Sequence, residues 1–448
     1  MYKQDSIAAL ATASGVGALA IIRISGQNLK SLYKKITNNK PLVDRYARLS
    51  SIYCPKTKEK LDSGIVIFYC SPNSFTGEDL IEINCHGGEY VSNSILSSLF
   101  NNGIRHAEPG EFSMRAFLNG KIDLTQAEAV AELISSKASL AGKNSLNNIS
   151  GFVSNYVDNL RNNIKVLLTT IEHELDFYEG EIEETGLIDI KHSMQKIQAD
   201  IHRAIETAAV GNILSSGARV VLFGPPNAGK SSLFNSILGL DRAIVSEFSG
   251  TTRDVVEAWV ELAGFPICLV DTAGYWDTDD YLDSLGIEKT KEQVNSADYL
   301  VLLDTVNPEA LFKKLNLPVD KKKVLFVRSK IDLTEKKLIN NENNCIDISV
   351  KTNTGVSKLT SELCSRLSRL NTTSTKLDPI IASKRQRALL EEALNIVDRG
   401  IVILKNEVGL DVMASTLHEL NDKLAEIIGE ITNDEVVTSI FSDFCVGK

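Results

Sequence analysis

The chain has 448 residues, which predicts two or three domains at ~100–200 residues per domain. Hydrophobic residues make up 43% of the sequence, as in globular proteins, and the net charge of −10 excludes a generally basic nucleic-acid binder. The seven cysteines form no CxxC pair, which argues against a disulfide framework or a zinc site and favours a reducing, cytoplasmic location.

The first part of the chain, residues 1–118, is predicted to be an α+β domain. Short β-rich runs such as "GALAIIRI", "SGIVIFYC" and "DLIEINC" alternate there with Gly, Pro and Asn turns. Residues 7–24 could also be the apolar part of a signal peptide, but Asp5 lies where such a peptide carries positive charge. We interpret them as a loop followed by a strand. No apolar run reaches the ~20 residues of a membrane span.

Residues 119–212 and 373–448 have the apolar spacing of helices. One predicted stripe before the middle of the chain consists of Ile164, Leu168, Ile171 and Leu175. Two more follow Pro379: Leu390, Leu394, Val397 and Ile401, then Met413, Leu417, Leu420, Leu424 and Ile427. Residues 213–372 alternate strands and helices. Because the ends of a domain often lie close together, we expect one all-α domain with an α/β domain inserted in it.

The segment "ARVVLFGPPNAGKSSLFNSILG" predicts a strand, a phosphate-binding loop and a helix. Its G-x-x-x-x-G-K-S spacing runs from Gly224 to Ser231. Backbone N–H groups of such a loop surround phosphate oxygens at the positive end of the helix. Lys230 is expected to reach the β- and γ-phosphates, and Ser231 to bind Mg²⁺.

Four later motifs complete a predicted guanine-nucleotide site. "ICLVDTAG" places Asp271 at the end of a strand for the Mg²⁺ shell and Gly274 for the γ-phosphate, and "SGTTRD" (249–254) is a candidate switch. "KKVLFVRSKID" places Asp332 where a carboxylate accepts hydrogen bonds from N1 and N2 of guanine. "ISVKTNTGV" supplies Ser349 and Lys351 behind the base.

Two positions depart from the usual GTPase pattern. Ser329 replaces the Asn of the Asn-Lys-x-Asp base motif, which we expect to loosen nucleotide affinity. Tyr275 follows "DTAG" where Ras-like proteins carry the Gln that orients the attacking water. The domain therefore needs another source of catalysis.

Nearly the whole chain resembles the MnmE (TrmE) family of tRNA-modification GTPases. The specific motifs are "IIRISG", "SFTGEDLIEINCHGG", "PGEFSMRAFLNGKIDLTQAEAV" and the terminal "FCVGK". The resemblance implies a multidomain fold: an α+β tetrahydrofolate-binding domain that also dimerises the chain, a helical domain, and an inserted Ras-like α/β P-loop GTPase domain. It implies a homodimer, a GTPase activated when two G domains meet around K⁺, and an FAD-dependent partner, MnmG, in a heterotetramer.

The implied reaction adds an aminomethyl or carboxymethylaminomethyl group to carbon 5 of the wobble uridine of tRNA. A folate derivative, 5-formyl- or methylene-tetrahydrofolate, supplies the one-carbon unit. The acidic chain is expected to leave much of the tRNA contact to the partner. The positions that match the family's folate contacts are Arg23, Glu82, Lys121 and Lys448.

The family motifs also imply the cation and nucleotide ligands. The K⁺ ligands match Asn227, Ser246, Phe248 and Thr251, and the Mg²⁺ ligands match Ser231 and Thr252. The remaining predicted GTP-binding positions are Ala228, Gly229, Lys230, Ser232, Glu247, Ser249, Gly250, Asp271, Thr272, Ala273, Gly274, Ser329, Lys330, Asp332, Ser349 and Lys351.

Two further positions are candidate catalytic residues. Asp283 aligns with the family's catalytic Glu but is one methylene shorter, so Glu288 is a second, unaligned carboxylate to consider. Cys445 is either a small buried hydrophobe or a thiol near the modification centre.

Two alternatives belong to other functional classes. One is a regulatory GTPase in ribosome assembly or stress signalling, and the other is a folate-dependent one-carbon transferase with a structural GTPase domain. The folate-site residues argue against the first alternative, and the intact phosphate and switch motifs argue against the second.

Overall fold

The computed structural model describes residues 5–176, 184–240, 243–244, 256–272, 293–317, 319–333, 345–369, 379–406, 409–431, 433–442 and 444–447. Two compact units divide the chain. The first contains Met1–Ala131, Asn148–Val157 and Asp422–Lys448, and the second contains Glu132–Asn147 and Asp158–Asn421. The predicted domain boundaries near residues 118, 212 and 372 stay predictions. None of the described helices is long and apolar enough to cross a membrane.

The first unit is built on a six-stranded sheet with the order β3-β4-β5-β2-β1-β6. Its strands are β1 (Ile7–Leu10), β2 (Leu19–Gly26), β3 (Arg48–Tyr53), β4 (Lys60–Tyr69), β5 (Asp79–His86) and β6 (Arg105–His106). Neighbours are antiparallel except the parallel pair β1 and β6. Helices α1 (Leu29–Ile36) and α2 (Glu89–Phe100) contribute Leu29, Leu32, Ile95 and Leu99 to the core cluster that contains one sheet face.

Strand β1 was not predicted, because the sequence favoured a loop before β2. Ile7, Ala8 and Ala9 are fully buried, and β1 pairs with β2 on one side and β6 on the other. A strand of four residues buried on both faces shows no alternation, so periodicity cannot identify it. The predicted strand of "GALAIIRI" is confirmed as β2.

A buried ionic cluster supports the first unit beside this sheet. Arg115, which is fully buried, donates hydrogen bonds from Nη2 to Glu111 Oε1 and to Asp5 Oδ1, both at 2.8 Å. Arg105 Nη2 donates to the same Glu111 oxygen at 2.6 Å. Burial raises the pKa of the Glu111 carboxyl, but the hydrogen bonds from Arg105, the Glu108 N–H and Arg115 outweigh it, and the net pKa lies below its usual value.

Helices dominate the chain between the two sheets. They are α3 (Glu111–Leu118), α4 (Leu124–Ser135), α5 (Ser139–Ile149), α6 (Phe152–Asp176) and α7 (Glu184–Ser216). The stripe predicted on α6 is confirmed for Ile164, Leu168 and Ile171, which are buried, but Leu175 in the last turn is 42% exposed.

The second unit contains a seven-stranded sheet with the order β13-β12-β11-β7-β10-β9-β8. Its strands are β7 (Ala218–Phe223), β8 (Ala243–Ile244), β9 (Val256–Leu262), β10 (Phe265–Asp271), β11 (Tyr299–Asp304), β12 (Val324–Arg328) and β13 (Cys345–Asp347). From β13 to β10 all neighbours are parallel, whereas β9 is antiparallel to both β10 and β8. The helices of this part are α8 (Lys230–Leu240), α9 (Pro308–Leu315) and α10 (Val356–Arg369).

Helices return after this sheet, as predicted. They are α11 (Lys384–Lys405), α12 (Leu410–Ile428) and α13 (Asp434–Ser442). On α11, Leu390, Val397 and Ile401 are buried and Leu394 is half-buried. The stripe on α12 is fully buried along its length, at Met413, Leu417, Leu420, Leu424 and Ile427. Helix α11 packs along α7. The chain therefore leaves the end of α7, forms the α/β sheet, and then returns to pack α11 against α7.

Candidate functional site

The predicted phosphate loop joins β7 to α8 in the second unit. Gly224 has a φ of +155°, and a Cβ there would lie 2.2 Å from the carbonyl oxygen of Leu303, so only glycine fits. Asn227 is exposed, with a left-handed φ of 61°. Lys230 begins α8 and is buried, and its Nζ donates to the carbonyl oxygens of Gly224 at 2.8 Å and Pro225 at 2.9 Å. The loop thus surrounds an ammonium group at the positive end of a helix, which suits an anion.

The predicted Mg²⁺-side residues lie at the carboxyl end of neighbouring parallel strands. Ser231 and Ser232 are exposed in the first turn of α8. Asp271 ends β10, is buried, and is paired in register with Leu222 of β7. The hydroxyl of Thr272 donates to the Leu222 carbonyl at 2.8 Å, which fixes the chain directly after Asp271. Ligand sites of open α/β sheets lie at this edge.

A cleft of about 310 Å³ adjoins the phosphate loop and contains the predicted base-binding residues. Asp332 lies in a 3₁₀ turn, Ile331–Leu333, and its Oδ1 accepts a hydrogen bond from the Ser349 hydroxyl at 2.7 Å. This bond holds the carboxylate at the cleft. The predicted residues that line the cleft are Gly229, Ser232, Ser329, Lys330, Asp332 and Lys351.

Ser329 connects the base cleft to the phosphate loop. Its side chain is buried, and its hydroxyl donates to the carbonyl oxygen of Ala228 at 2.6 Å. Its backbone N–H donates to the carbonyl of Asp304, the last residue of β11, at 2.9 Å. This bridging contact was not predicted, because the sequence drew attention only to the missing Asn.

Several predicted nucleotide, cation and catalytic positions lie outside the described residues. Their assignments therefore stay predictions. They are Ser246, Glu247, Phe248, Ser249, Gly250, Thr251, Thr252, Ala273, Gly274, Tyr275, Asp283 and Glu288.

The first unit places two of the predicted folate residues side by side. Arg23 on β2 and Glu82 on β5 are cross-strand neighbours, and Arg23 Nε and Nη2 donate to Glu82 Oε1 at 3.1 and 2.9 Å. The hydroxyl of Tyr69 donates to the other carboxylate oxygen at 3.1 Å. The Arg23 guanidinium also lies 5.7 Å from the ring centroid of Phe75. Sequence reasoning missed Tyr69 and Phe75, which only the sheet register and the 71–78 loop bring to this pair.

Burial and the Glu82 carboxylate determine the ionisation of Tyr69. Burial, followed by the negative charge of Glu82 and the hydrogen bond to it, raises the pKa of the phenol. Tyr69 is therefore a neutral donor near pH 7. The arrangement offers one carboxylate, one guanidinium and one aromatic ring within a single half-buried cluster.

The C-terminal segment reaches the same cluster. The carbonyl oxygen of Gly447 accepts a hydrogen bond from Arg23 Nη1 at 3.4 Å. Cys445 is exposed, so the alternative of a small buried hydrophobe is wrong, and its carbonyl oxygen accepts a hydrogen bond from the Gly110 N–H at 3.3 Å. Lys121 follows α3 and is exposed, whereas Lys448 lies outside the described residues.

Among the residues described in the ranges above, no group of three or more His, Cys, Asp or Glu side chains could hold a metal ion. The nucleotide-side residues instead combine hydroxyls, single carboxylates and backbone groups, which are the ligands that Mg²⁺ shares with phosphates.

The chain is similar to known proteins along nearly its whole length. Residues 6–121 match the family model for the GTP-binding protein TrmE N-terminus, and residues 124–445 match the model for the MnmE helical domain. The tRNA modification GTPase MnmE of Aquifex aeolicus is 36% identical over 99% of this chain and 100% of its own. Those of Sulfurimonas denitrificans and Ligilactobacillus salivarius are 35% and 36% identical, over 99% of this chain in each case and 100% and 98% of their own.

The phosphate loop, the base cleft and the multidomain fold all point to the family of these full-length relatives. The chain belongs to the tRNA modification GTPase MnmE family.

Proposed function

We propose that this chain is a K⁺-activated GTPase that, with an FAD-dependent MnmG partner, adds an aminomethyl or carboxymethylaminomethyl group to carbon 5 of the wobble uridine of tRNA. The observation that carries the proposal is the pairing of a closed phosphate loop with a base cleft at which Asp332 is held by Ser349. Membership of the family already indicates tRNA modification and GTP hydrolysis. The cation, the partner protein and the group added to uridine are what we propose here.

GTP is the substrate of the second unit. Lys230 would bind the β- and γ-phosphates, and Asp332 would accept hydrogen bonds from guanine N1 and N2. Adenine lacks that pair of donors, so Asp332 supports guanine selectivity. Ser231 and Thr252 would hold Mg²⁺, and the exposed hydroxyl of Ser231 at the start of α8 suits that ligand.

The proposed K⁺ ligands are Asn227, Ser246, Phe248 and Thr251. Of these, the structure describes Asn227, whose left-handed backbone at the exposed tip of the loop makes its amide oxygen accessible to a cation. A bound cation would supply the positive charge that an arginine finger contributes in other GTPases. Asp283 is the proposed residue that orients the attacking water.

The Arg23–Glu82 cluster is the proposed folate site, together with Lys121 and Lys448. A pterin ring presents hydrogen-bond donors that suit a carboxylate, and a glutamate tail suits cations. Arg23 offers a guanidinium that is hydrogen-bonded to the Glu82 carboxylate and lies over the apolar ring of Phe75. The ligand class is 5-formyl- or methylene-tetrahydrofolate. The exposed thiol of Cys445 lies on the segment that reaches this cluster, which supports a role near the modification centre.

The proposed assembly is a homodimer that joins MnmG in a heterotetramer in the cytoplasm. The seven cysteines form no CxxC pair, which supports a reducing compartment.

Mass spectrometry of wobble uridine tests the central proposal. A deletion strain should lack the modified uridine, the wild-type gene should restore it, and a Lys230→Ala variant should not. A regulatory GTPase without a modification role would leave the uridine unchanged in the deletion strain, and that result would reject the proposal.

Hydrolysis assays test the cation separately. GTP turnover should be fast in K⁺ and slow in Na⁺, because the smaller ion does not suit the proposed ligands. Equal turnover in the two salts would remove K⁺ from the mechanism while leaving the tRNA role intact. Calorimetry with 5-formyltetrahydrofolate should show binding that Glu82→Ala and Arg23→Ala both weaken.

A further inference from the structure

One surface of the first unit is strongly basic although the chain is acidic. Residues 27–61 contain nine Lys or Arg and two Asp or Glu residues, a formal charge of +7 in a chain of net charge −10. We call the surface that these side chains form the basic edge. Its members are Lys30, Lys34, Lys35, Lys40, Arg45, Arg48, Lys56, Lys58 and Lys60.

Helix α1 supplies one part of the basic edge. It buries Leu29, Leu32, Tyr33 and Ile36 against the sheet, so the positions between them face solvent. These outward positions carry the exposed side chains of Lys30, Lys34 and Lys35. The amphipathic pattern of one short helix therefore places three ammonium groups on one face.

The outermost strand, β3, and the segments on either side of it carry the rest. Lys40 Nζ donates to the carbonyl oxygen of Leu49 at 2.9 Å, which holds the segment after α1 against this strand. At the far end of β3, a turn closed by the Cys54 N–H and the Glu59 carbonyl at 2.8 Å carries the exposed Lys56 and Lys58. Six strand residues span ~20 Å, so positive charge extends at least that far.

An exposed aromatic ring lies within this surface. Tyr46 is 55% exposed, and the Arg48 guanidinium lies 5.2 Å from its ring centroid. Aromatic and guanidinium planes are the groups on which proteins stack unpaired bases. Lysine ammonium groups bind phosphates as point charges.

We propose that the basic edge binds the RNA phosphate backbone directly, so that this chain makes its own contact with tRNA. Phosphate neutralisation by Lys and Arg provides most of the sequence-independent affinity for nucleic acids. The net charge of −10 does not prevent this contact, because charges beyond the Debye length of ~8 Å at physiological ionic strength are largely screened. The proposal rests on the family role in tRNA modification and names the surface that serves it.

Protection of an edge strand explains only part of the pattern. Lysines at edge strands prevent pairing with another sheet, and Lys40, which donates to the edge strand β3, suits that purpose. Lys34 and Lys35 lie on a helix with no strand edge to protect. An anionic membrane is a different partner with the same charge, and the family role favours RNA.

Paired charge reversals in the full-length protein test the proposal. Lys34→Glu/Lys35→Glu changes the last turn of α1, and Lys313→Glu/Lys314→Glu makes the same change in the last turn of α9, where both lysines are also exposed. Binding of a fluorescent tRNA transcript is measured by anisotropy over a range of salt concentrations. Thermal unfolding and GTP turnover without tRNA should be unchanged in both variants, which reports an intact fold of both units.

The α1 variant should bind tRNA at least about tenfold more weakly, and its slope of log affinity against log salt should fall by ~0.7–0.9 for each lost phosphate contact. The α9 variant should keep the wild-type affinity and slope. Equal losses in both variants would assign the effect to net charge and overturn the proposal, as would an unaffected α1 variant or a wild-type protein that does not bind tRNA. Vesicle binding that only the α1 variant loses, with tRNA binding unchanged, would replace RNA by an anionic membrane.

Discussion

Removal of the Ser329 hydroxyl is predicted to weaken nucleotide binding, because this side chain joins the base loop to the phosphate loop. Its hydroxyl donates to the Ala228 carbonyl at 2.6 Å, and both residues are buried. In Ser329→Ala the Ala228 carbonyl loses this donor inside the protein. A buried polar group left without its partner costs ~1–3 kcal/mol.

The nucleotide would contact both loops that this hydrogen bond joins. Part of the free energy lost with the bond is therefore expected as weaker nucleotide binding. A loss of ~1–1.4 kcal/mol in affinity corresponds to about five- to tenfold in Kd. The remainder is expected as a lower free energy of unfolding. A loss of 1 kcal/mol lowers Tm by ~2–4 °C in a domain of 150–250 residues.

Fluorescent GDP titration of Ser329→Ala, followed by thermal unfolding, measures both effects. Ser296→Ala is the matched control, because the Ser296 hydroxyl is exposed and donates to a carbonyl three residues earlier, Gln293, at 3.0 Å. The control should retain wild-type Kd and Tm. If Ser329→Ala binds GDP as tightly as Ser296→Ala, the bridge between the loops does not contribute to the nucleotide site.

Three further predictions address other parts of the molecule. Asp332→Asn should shift preference from guanine toward xanthine nucleotides in competition titrations, because the amide presents a donor where the carboxylate, held by Ser349, presents acceptors; unchanged selectivity would contradict this. Gly447→Ala should weaken folate binding in calorimetry without changing GDP affinity, because a Cβ at its φ of +93° would lie 2.3 Å from the Leu10 carbonyl oxygen and displace the C-terminal segment. Glu111→Gln should destabilise the first unit by about 3 kcal/mol or more at neutral pH, since it breaks a buried ion pair. The folded pKa of Glu111 is lowered, so its stabilisation is complete above the unfolded pKa of ~4.3 and is lost as pH falls toward the folded value. Urea titrations should therefore show the two proteins converging in acid, and a constant difference would contradict the assignment.

The local sequence pattern was sufficient to predict those elements whose apolar pattern continues over many residues. The α12 stripe spans four turns, and each of its five predicted positions is fully buried. The phosphate loop was also predicted correctly as strand, loop and helix, because glycine, lysine and serine spacing reflects a local backbone geometry. Strand β1 was missed because four residues buried on both faces carry no periodic signal.

Contacts between distant parts of the chain could not be predicted from spacing. Ser329 and Ala228 are 101 positions apart, and Arg23 and Gly447 are 424 positions apart. Tyr69 reaches Glu82 only because β4 and β5 pair in one register. The chemical types of the site residues could thus be predicted from the sequence, whereas their hydrogen-bond partners could not, because these depend on tertiary packing.

The position of the phosphate loop in the middle of the chain has a mechanical consequence within the second unit. Gly217 alone separates α7 from β7, the strand that leads into the loop. A second connection lies at β9 and β10, where the Ser139 hydroxyl donates to Glu261 Oε1 at 2.6 Å and the Leu140 N–H donates to the Gly264 carbonyl at 3.1 Å. These connections attach the sheet to α7 through the chain and to the start of α5 through hydrogen bonds. Any nucleotide-dependent movement of the sheet relative to α5 must break the bonds at Glu261 and Gly264, because hydrogen bonds of this length do not stretch without being lost.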